Sequence, residues 1–312
     1  MTIHKINAIL QHQICMLKPK QQSYLLIGIL AVIWGSSFIL MKRALVVYTP
    51  YQIGAFRMVV AFVFMLPFII NYFGKIEKSK WKYFIATGFL GNGIPSILFP
   101  LAETRISSSV AGMINSLTPI FTLLVGVLFF KMKVTGNRII GLTIGLFGAV
   151  LLISGQTEGS VVSETNVYAM YVVLAAICYA LSINILTYKL NTTDSIRNTG
   201  FALFFTGIPM GIFLFCGDFI QRTQSMEGSG FALICIIILG LFGTTLSTIL
   251  FNKVIKTSGA LAASSVTYLI PIVAVMWGLW DNEVLGIYHL LGLMAILTGV
   301  YLVNNRKKEI KA

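Results

Sequence analysis

The chain has 312 residues, of which 57% are hydrophobic and only 11% are charged, and its mean hydropathy is +0.87. Soluble domains carry about 25% charged residues, so the composition excludes a soluble globular protein and predicts one that crosses a membrane several times. The net charge of +13 does not indicate a nucleic-acid partner, because the basic residues lie in short segments between apolar runs rather than in one patch.

Ten apolar runs are long enough to be membrane helices, each of which needs about 20 residues. In chain order they cover residues 23–42, 51–73, 81–101, 107–130, 137–155, 166–188, 197–217, 230–252, 259–280 and 286–304. The connections between them are short. The sequence therefore predicts an all-α integral membrane protein with ten transmembrane helices and no separate soluble domain.

Residues 1–22 precede the first run and are predicted to form a cytoplasmic N-terminal segment. The run that follows is too long, and too poor in small residues at its end, for a cleaved signal peptide. Isoleucines at helical spacing make this segment a candidate interfacial helix, and a translation start at Met16 is the alternative. Residues 306–312 are predicted to be a basic cytoplasmic tail.

The Lys and Arg residues are distributed unequally between the two sides of the membrane. If the N-terminus is inside, eighteen of the 23 fall in inner segments, four fall in outer segments, and Arg57 lies within the second run. Positive residues favour the cytoplasmic side, so both termini are predicted to be cytoplasmic, in a bacterial inner membrane. Glu103 and Glu283 then lie at the outer boundary, where water is expected to keep their pKa values ordinary.

The two halves of the chain resemble each other. Gly88 and Gly240 are 152 residues apart, and at that offset ten of the 43 positions in 88–130 match those in 240–282, including an Ile-Leu-Phe triplet and a proline. The sequence thus predicts two five-helix repeats, residues 23–155 and 156–305. Because five is odd, the copies are expected to be inverted, which is an architecture typical of alternating-access carriers.

Polar and aromatic side chains within the runs are candidates for a substrate cavity, because polar groups in lipid usually face the bundle interior. The alternative for each is a hydrogen bond between or within helices. The predicted cavity residues are Trp34, Ser37, Asn92, Asn115, Tyr179, Asn184, Thr245 and Tyr268. Proline interrupts helices, so Pro95, Pro119 and Pro271 are predicted hinges, with packing kinks as the alternative.

Two basic residues are candidates for a charge contact with substrate. Arg57 and Lys42 could meet an anionic group, or could extend along the helix to the outer interface. The first eight runs contain no carboxylate, so coupling to protons through a buried acid is not expected. The cysteines and histidines show no ligand spacing, and neither a metal nor a cofactor is predicted.

The motif Trp34-Gly-Ser-Ser-Phe38, followed by Lys42 and Arg57, resembles the first-span signature of the drug/metabolite transporter superfamily. Leu117-Thr-Pro-Ile120 and Leu269-Ile-Pro-Ile272 resemble its proline-centred motif, and the resemblance to the EamA branch covers residues 20–305. It implies a ten-helix secondary carrier, often an exporter of amino acids or other metabolites. The chain departs from many relatives at Lys131, where they carry an acid.

These observations predict a secondary-active or facilitative transporter, and not an enzyme, that exports amino acids or similar neutral or zwitterionic metabolites by alternating access. The expected partners are the metabolite and the lipid bilayer, with a homodimer left open and no nucleic acid. A sugar, nucleotide-sugar or organophosphate carrier is the alternative within transport. An integral membrane enzyme is the alternative of another class, disfavoured because no nucleophile, base or metal set appears.

Overall fold

The computed structural model describes residues 19–74, 76–132, 136–154 and 164–304. Within these residues every regular element is helical. Eight helical segments are long and apolar enough to cross a membrane, and two shorter apolar helices, Val266–Trp280 and Ile287–Val303, follow them. The chain is therefore an all-helical, multi-pass membrane protein. The predictions for the N-terminal segment, for the start at Met16 and for the basic tail fall wholly or largely outside the described residues.

The α-helices are numbered here in chain order. They are α1 (Pro19–Ala44), α2 (Pro50–Tyr72), α3 (Trp81–Gly88), α4 (Ile94–Glu103), α5 (Ser108–Asn115), α6 (Thr118–Phe130), α7 (Gly136–Ser154), α8 (Glu164–Lys189), α9 (Ser195–Phe215), α10 (Phe219–Ser225), α11 (Ser229–Ile238), α12 (Ser247–Ser258), α13 (Ala260–Ser264), α14 (Ile270–Trp280) and α15 (Ile287–Asn304).

Several apolar runs that the sequence presents as single helices are interrupted. A π-helical segment, Phe89–Gly93, joins α3 to α4, and a second, Leu239–Leu246, joins α11 to α12. The two segments begin 150 residues apart, close to the offset of the sequence repeat. Because π-helical turns bond to the fifth residue instead of the fourth, they redirect backbone carbonyls, and they often occur at functional sites.

The predicted hinge prolines lie at helix starts. Pro95 follows the first π segment in the first turn of α4, while Pro119 and Pro271 occupy the first turns of α6 and α14. Proline is tolerated in a first turn because the backbone N–H that it lacks has no partner there. The runs 107–130 and 259–280 are consequently broken just before these prolines. A hinge role for the three residues stays a prediction.

Glycines allow several helices to approach at backbone distance. The pair α7 and α15 is one example, because a Cβ on Gly299 would lie 2.5 Å from the carbonyl oxygen of Gly141. Helices α2 and α9 run antiparallel, with Gly200 beside Ile69 at one end and Gly211 beside Val59 further along. Small residues stabilise such contacts in lipid, where close packing replaces the hydrophobic effect.

This antiparallel pair fixes which helix ends lie together. The start of α2 meets the region after α9, since Gln52 Nε2 donates to Asp218 Oδ1 at 2.7 Å. The end of α2 meets the start of α9, where the Arg197 guanidinium lies 4.5 Å from the Tyr72 ring centroid. The first end is the predicted outer side, and the second is the predicted cytoplasmic side.

Candidate functional site

A central cavity lies between the helices of the two halves, with a volume of about 90 Å³. At roughly 15 Å³ for each water molecule, this is room for about six waters or a small solute. Among the described residues its walls are Trp34, Ser37, Phe38, Met41, Arg57, Thr87, Gly91, Asn92, Phe99, Asn115, Thr118, Tyr179, Ser182, Ile183, Leu186, Asn198, Ala202, Thr248, Phe251, Asn252, Ser264, Val266 and Thr267. The walls reach from the level of Arg57 to that of Asn198, at the predicted cytoplasmic end of α9.

A smaller recess of about 30 Å³ adjoins this cavity and shares several of its walls. Its lining is Trp34, Arg57, Met58, Gly91, Asn92, Ser96, Tyr179, Gly243 and Thr248. The volume corresponds to about two water molecules, which is comparable to the two oxygens of one carboxylate group. The recess is the most polar part of the cavity.

Arg57 is the cation of the recess, and it is only 7% exposed. Its Nε donates to Thr244 Oγ1 at 2.6 Å, and its Nη2 donates to the carbonyl of Gly243 at 3.1 Å. No described carboxylate lies within 4.0 Å of this guanidinium. The side chain does not extend to the outer interface, which was one of the two alternatives left by the sequence. Its positive charge faces a cavity instead.

The carbonyl oxygen of Gly243 accepts three side-chain hydrogen bonds. It is accessible to them because the π segment takes it out of the regular α-helical hydrogen-bond pattern. Besides Arg57, Trp34 Nε1 donates to it at 3.1 Å and Ser247 Oγ at 2.7 Å. A Cβ at Gly243 would lie 3.1 Å from Ser37 Oγ, so glycine permits α1 to approach this segment. The π segment thereby positions both the indole and the guanidinium.

Aromatic rings form much of the remaining wall. Trp34 packs edge-on against Phe251, with ring centroids 5.1 Å apart, and Phe99 stacks on Tyr179 at 5.9 Å. Such faces can attract a cation as well as apolar groups. The wall therefore combines one positive charge with aromatic faces, hydroxyls and amides.

Five of the eight predicted cavity residues line the cavity: Trp34, Ser37, Asn92, Asn115 and Tyr179. Their contact with substrate stays a prediction. The other three do not line it. Asn184 is fully buried and donates to the carbonyls of Thr122 and Ala180 at 3.0 and 2.9 Å, while Thr245 Oγ1 donates to the carbonyl of Gly240 at 3.0 Å. Tyr268 is half-buried and packs against the apolar core.

Two cavity amides were missed by the sequence analysis. Asn198 and Asn252 line the part of the cavity toward the predicted cytoplasmic side, and neither Oδ1 has a hydrogen-bond partner among the described residues. Asn198 lies in the first turn of α9 and Asn252 in the middle of α12. In the sequence, each stands at the edge of a predicted apolar run, 197–217 or 230–252, where a polar residue is unremarkable. The sequence signal that could reveal them is their position on the faces of α9 and α12 that point to the bundle interior.

Lys42 lies in an ion cluster at the predicted outer end and not in the cavity. Its Nζ is 2.7 Å from Glu283 Oε1 and 2.6 Å from Asp281 Oδ2, while Arg43 also pairs with Asp281. Glu283 accepts from the backbone N–H and hydroxyl groups of Ser108 and Ser109, at the start of α5. The cluster joins α1 and α5 to the α14–α15 connection.

The pKa of Glu283 departs from the ordinary value that the sequence analysis expected. Burial raises the pKa of this carboxyl, but the hydrogen bonds from Lys42, Ser109 and Ser108 outweigh burial and lower it to about 2. Its side chain is only 4% exposed. Glu103 is also buried, at 8% exposure. The expectation that water surrounds these two acids is therefore wrong.

The comparisons with known proteins agree with this architecture. The model of the EamA-like transporter family matches the chain twice, at residues 21–154 and 166–305. The chain is 28% identical to the uncharacterized transporter YdfC of Bacillus subtilis, over 89% of this chain and 90% of that protein. It is 23% identical to the uncharacterized inner membrane transporter YedA of Escherichia coli, over 88% of each. A solved crystal structure shares the fold with a TM-score of 0.64 and 12% identity, covering 90% of this chain and 96% of the other.

Proposed function

The chain belongs to the EamA-like transporter family, and we propose that it carries a small zwitterionic metabolite, such as an amino acid, across the bacterial inner membrane by alternating access. Export is the expected direction, by secondary-active or facilitative transport. Membership of the family and the names of the relatives support transport itself.

The recess around Arg57 carries the proposal. A buried cation is costly unless an anion or several dipoles compensate it, and the described partners of Arg57 are one hydroxyl and one carbonyl. A substrate carboxylate would supply the missing negative charge. The guanidinium presents a planar fork of donors that fits a carboxylate well, and the recess has the volume of such a group.

The other half of a zwitterion can be accommodated close by. An ammonium group next to the carboxylate would meet the aromatic faces of Trp34 and Tyr179, which attract cations. Asn92 Oδ1, which accepts from Thr248 at 3.3 Å, has a second lone pair available for the same group. A variable side chain would extend into the larger cavity, toward Phe251.

An organophosphate carrier is less well supported by this lining. A phosphate monoester carries close to two negative charges at neutral pH, whereas Arg57 is the one Lys or Arg among the described cavity walls. A neutral sugar would leave the guanidinium without its anion. A substrate with a single carboxylate, either a monocarboxylate or a zwitterion, therefore best neutralises the positive charge of Arg57 in the recess.

The proposed transport cycle uses two inverted five-helix repeats, residues 23–155 and 156–305, in ten spans with both termini cytoplasmic. The ion cluster of Lys42, Asp281 and Glu283 closes the outer end, while the cavity extends toward the cytoplasmic end of α9. The conformer described here is then the one closed to the outside. Opening the cluster would expose the recess to the outer solution.

Counterflow in proteoliposomes tests this function. Vesicles loaded with a mixture of the standard amino acids are diluted into medium that contains the same mixture with a carbon-14 label, and the uptake of label is followed. The wild-type protein should accumulate label transiently, and thin-layer separation of the contents identifies the transported members. Absence of counterflow for every amino acid would refute the substrate class.

Arg57 variants test the recess. Arg57→Gln should lower transport by about 10- to 150-fold, the effect of losing a hydrogen bond to a charged group, and Arg57→Lys should retain part of it. Arg105→Gln, which removes a cation at the outer surface, is the matched control and should transport normally. Equal transport by Arg57→Gln and wild type would show that the recess does not bind the carboxylate.

A further inference from the structure

One carboxyl group in the bundle has no partner. Glu103 is the last residue of α4 and is 8% exposed, and neither of its oxygens has a hydrogen-bond partner in the described part of the chain. Every other acid whose side chain the structure describes is either exposed or paired. The sequence analysis expected no such group, because it placed Glu103 in water.

Glu103 and Glu283 are both buried at the same end of the bundle, but they differ in the hydrogen-bond donors around them. Glu283 is satisfied as an anion by a lysine, two hydroxyls and two backbone N–H groups. Glu103 has no such donors. An isolated ionised carboxylate in a low-dielectric site is very unfavourable, and the usual result is that the group takes up a proton.

The charges around Glu103 come from each neighbouring element. They are Lys42 on α1, Arg57 on α2 and Glu283 in the α14–α15 connection. Helix α8 also packs against α4, where the ring of Tyr179 stacks on that of Phe99. Arg57 and Glu103 lie on helices that are in direct contact, because a Cβ at Gly54 of α2 would lie 2.8 Å from the carbonyl oxygen of Ser96 on α4, and Ser96 lines the recess together with Arg57. No hydrogen bond joins the two charged groups, so the charge of Glu103 acts on that of Arg57 through space.

We infer that Glu103 is a proton-binding site, and that its proton is taken up together with the solute carboxylate at Arg57. In the conformer closed to the outside, Glu103 holds the proton as a neutral acid. In a conformer that admits water to the outer end, the proton leaves one carboxyl oxygen for solvent and the carboxylate is hydrated. The inference on coupling rests on the proposed function; the inference on the proton site does not.

The sign of the coupling follows from the shared cation. The positive charge of Arg57 would stabilise both an ionised Glu103 and a solute carboxylate. Each of these anions therefore reduces the stabilisation that the other receives. Protonation of Glu103 removes one competitor and favours the solute, and by reciprocity the bound solute favours protonation. Solute and proton should consequently cross in the same direction. An outward gradient of the solute then drives protons outward with it.

Infrared difference spectroscopy tests the proton site without any substrate. The purified protein in lipid, at neutral pH, should show the C=O stretch of a protonated carboxylic acid. Glu103→Gln, which keeps the shape of the neutral acid, should lose this band, whereas Glu283→Gln should retain it. A wild-type spectrum without the band, or a band that survives in Glu103→Gln, would overturn the assignment. Circular dichroism of both variants establishes that each is folded.

A second measurement tests the coupling. Proteoliposomes that contain a trapped pH-sensitive dye are loaded with the standard amino acids and diluted into medium without them. Wild-type vesicles should become alkaline inside as protons leave with the solute, and vesicles without protein should not. Glu103→Gln has no carboxyl to carry the proton, so its release of amino acids should be accompanied by no more proton movement than is seen in vesicles without protein.

The outcomes separate the two proposals. No amino-acid release by the wild type refutes the proposed function and the coupling, and leaves the infrared result to decide the proton site. Amino-acid release without a change in internal pH overturns the coupling alone. Equal proton movement in wild type and Glu103→Gln shows that another group carries the proton.

Discussion

Replacing Glu283 with glutamine should destabilise the closed outer end. In the wild type this carboxylate accepts from Lys42, at 2.7 Å, and from the amide and hydroxyl groups of Ser108 and Ser109, at 2.6 to 3.0 Å. Glutamine has a similar shape but only one oxygen and no charge. It would place an NH₂ group against donors, and would leave Lys42 with Asp281 alone.

The size of the effect can be estimated from the pKa of the carboxyl. A pKa of about 2 instead of the ordinary 4.5 corresponds to about 3 kcal/mol in favour of the ionised form, and screening at the water boundary reduces this to roughly 2 kcal/mol. Because the pKa is lower in the folded protein, this stabilisation is complete above pH 4.5 and is lost as the pH falls toward 2.

Thermal unfolding in detergent, followed by circular dichroism, measures this loss. At neutral pH the melting temperature of Glu283→Gln should be about 5 °C below that of the wild type. The difference should shrink as the pH falls from 4.5 toward 2. Glu227→Gln, a matched change at an exposed acid, should have no effect. Equal melting temperatures at neutral pH, or a difference that persists in acid, would refute this account of the cluster.

Two glycine substitutions test close packing. Gly278→Ala would place a Cβ against Ser109 Oγ, so it should loosen the outer cluster and lower the melting temperature, and an unchanged value would contradict the packing described here. Gly299→Ala would place a Cβ 2.5 Å from the carbonyl oxygen of Gly141, which should cost about 1–3 kcal/mol and be detected as a shift in thermal unfolding. Gly28→Ala, whose Cβ meets nothing within 4 Å, is the control and should be neutral or stabilising.

The sequence was informative where a residue is unusual for its surroundings. Trp34, Asn92 and Tyr179 are aromatic or amide side chains within apolar runs, and the bundle turns all three toward the cavity. The cost of exposing an amide to lipid makes this inward placement predictable. The same reasoning could not separate Asn92 from Asn184, because both amides point inward and only the fold decides that Asn184 bonds to the backbone of α6.

The sequence also could not predict where each charged side chain lies and what it bonds to, because its partners come from distant parts of the chain. Arg57 could have extended to the outer interface along α2, and it is held inside by acceptors on Thr244 and Gly243, 186 or more positions away in the chain. Glu103 and Glu283 look equivalent in sequence, since each follows an apolar run. The difference between them depends on the start of α5, which supplies Ser108 and Ser109 to Glu283 alone.

The outer cluster and the cavity are mechanically connected through α1. Lys42 and Trp34 are eight residues apart on this helix, about 12 Å at 1.5 Å per residue. Lys42 bonds to the α14–α15 connection, and Trp34 bonds to Gly243 in the second π segment. A rigid tilt of α1 that separates Lys42 from Glu283 must therefore shift Trp34 relative to Gly243, whose carbonyl also holds Arg57. Opening the outer end and reshaping the recess would then be parts of one motion, which the proposed alternating access requires.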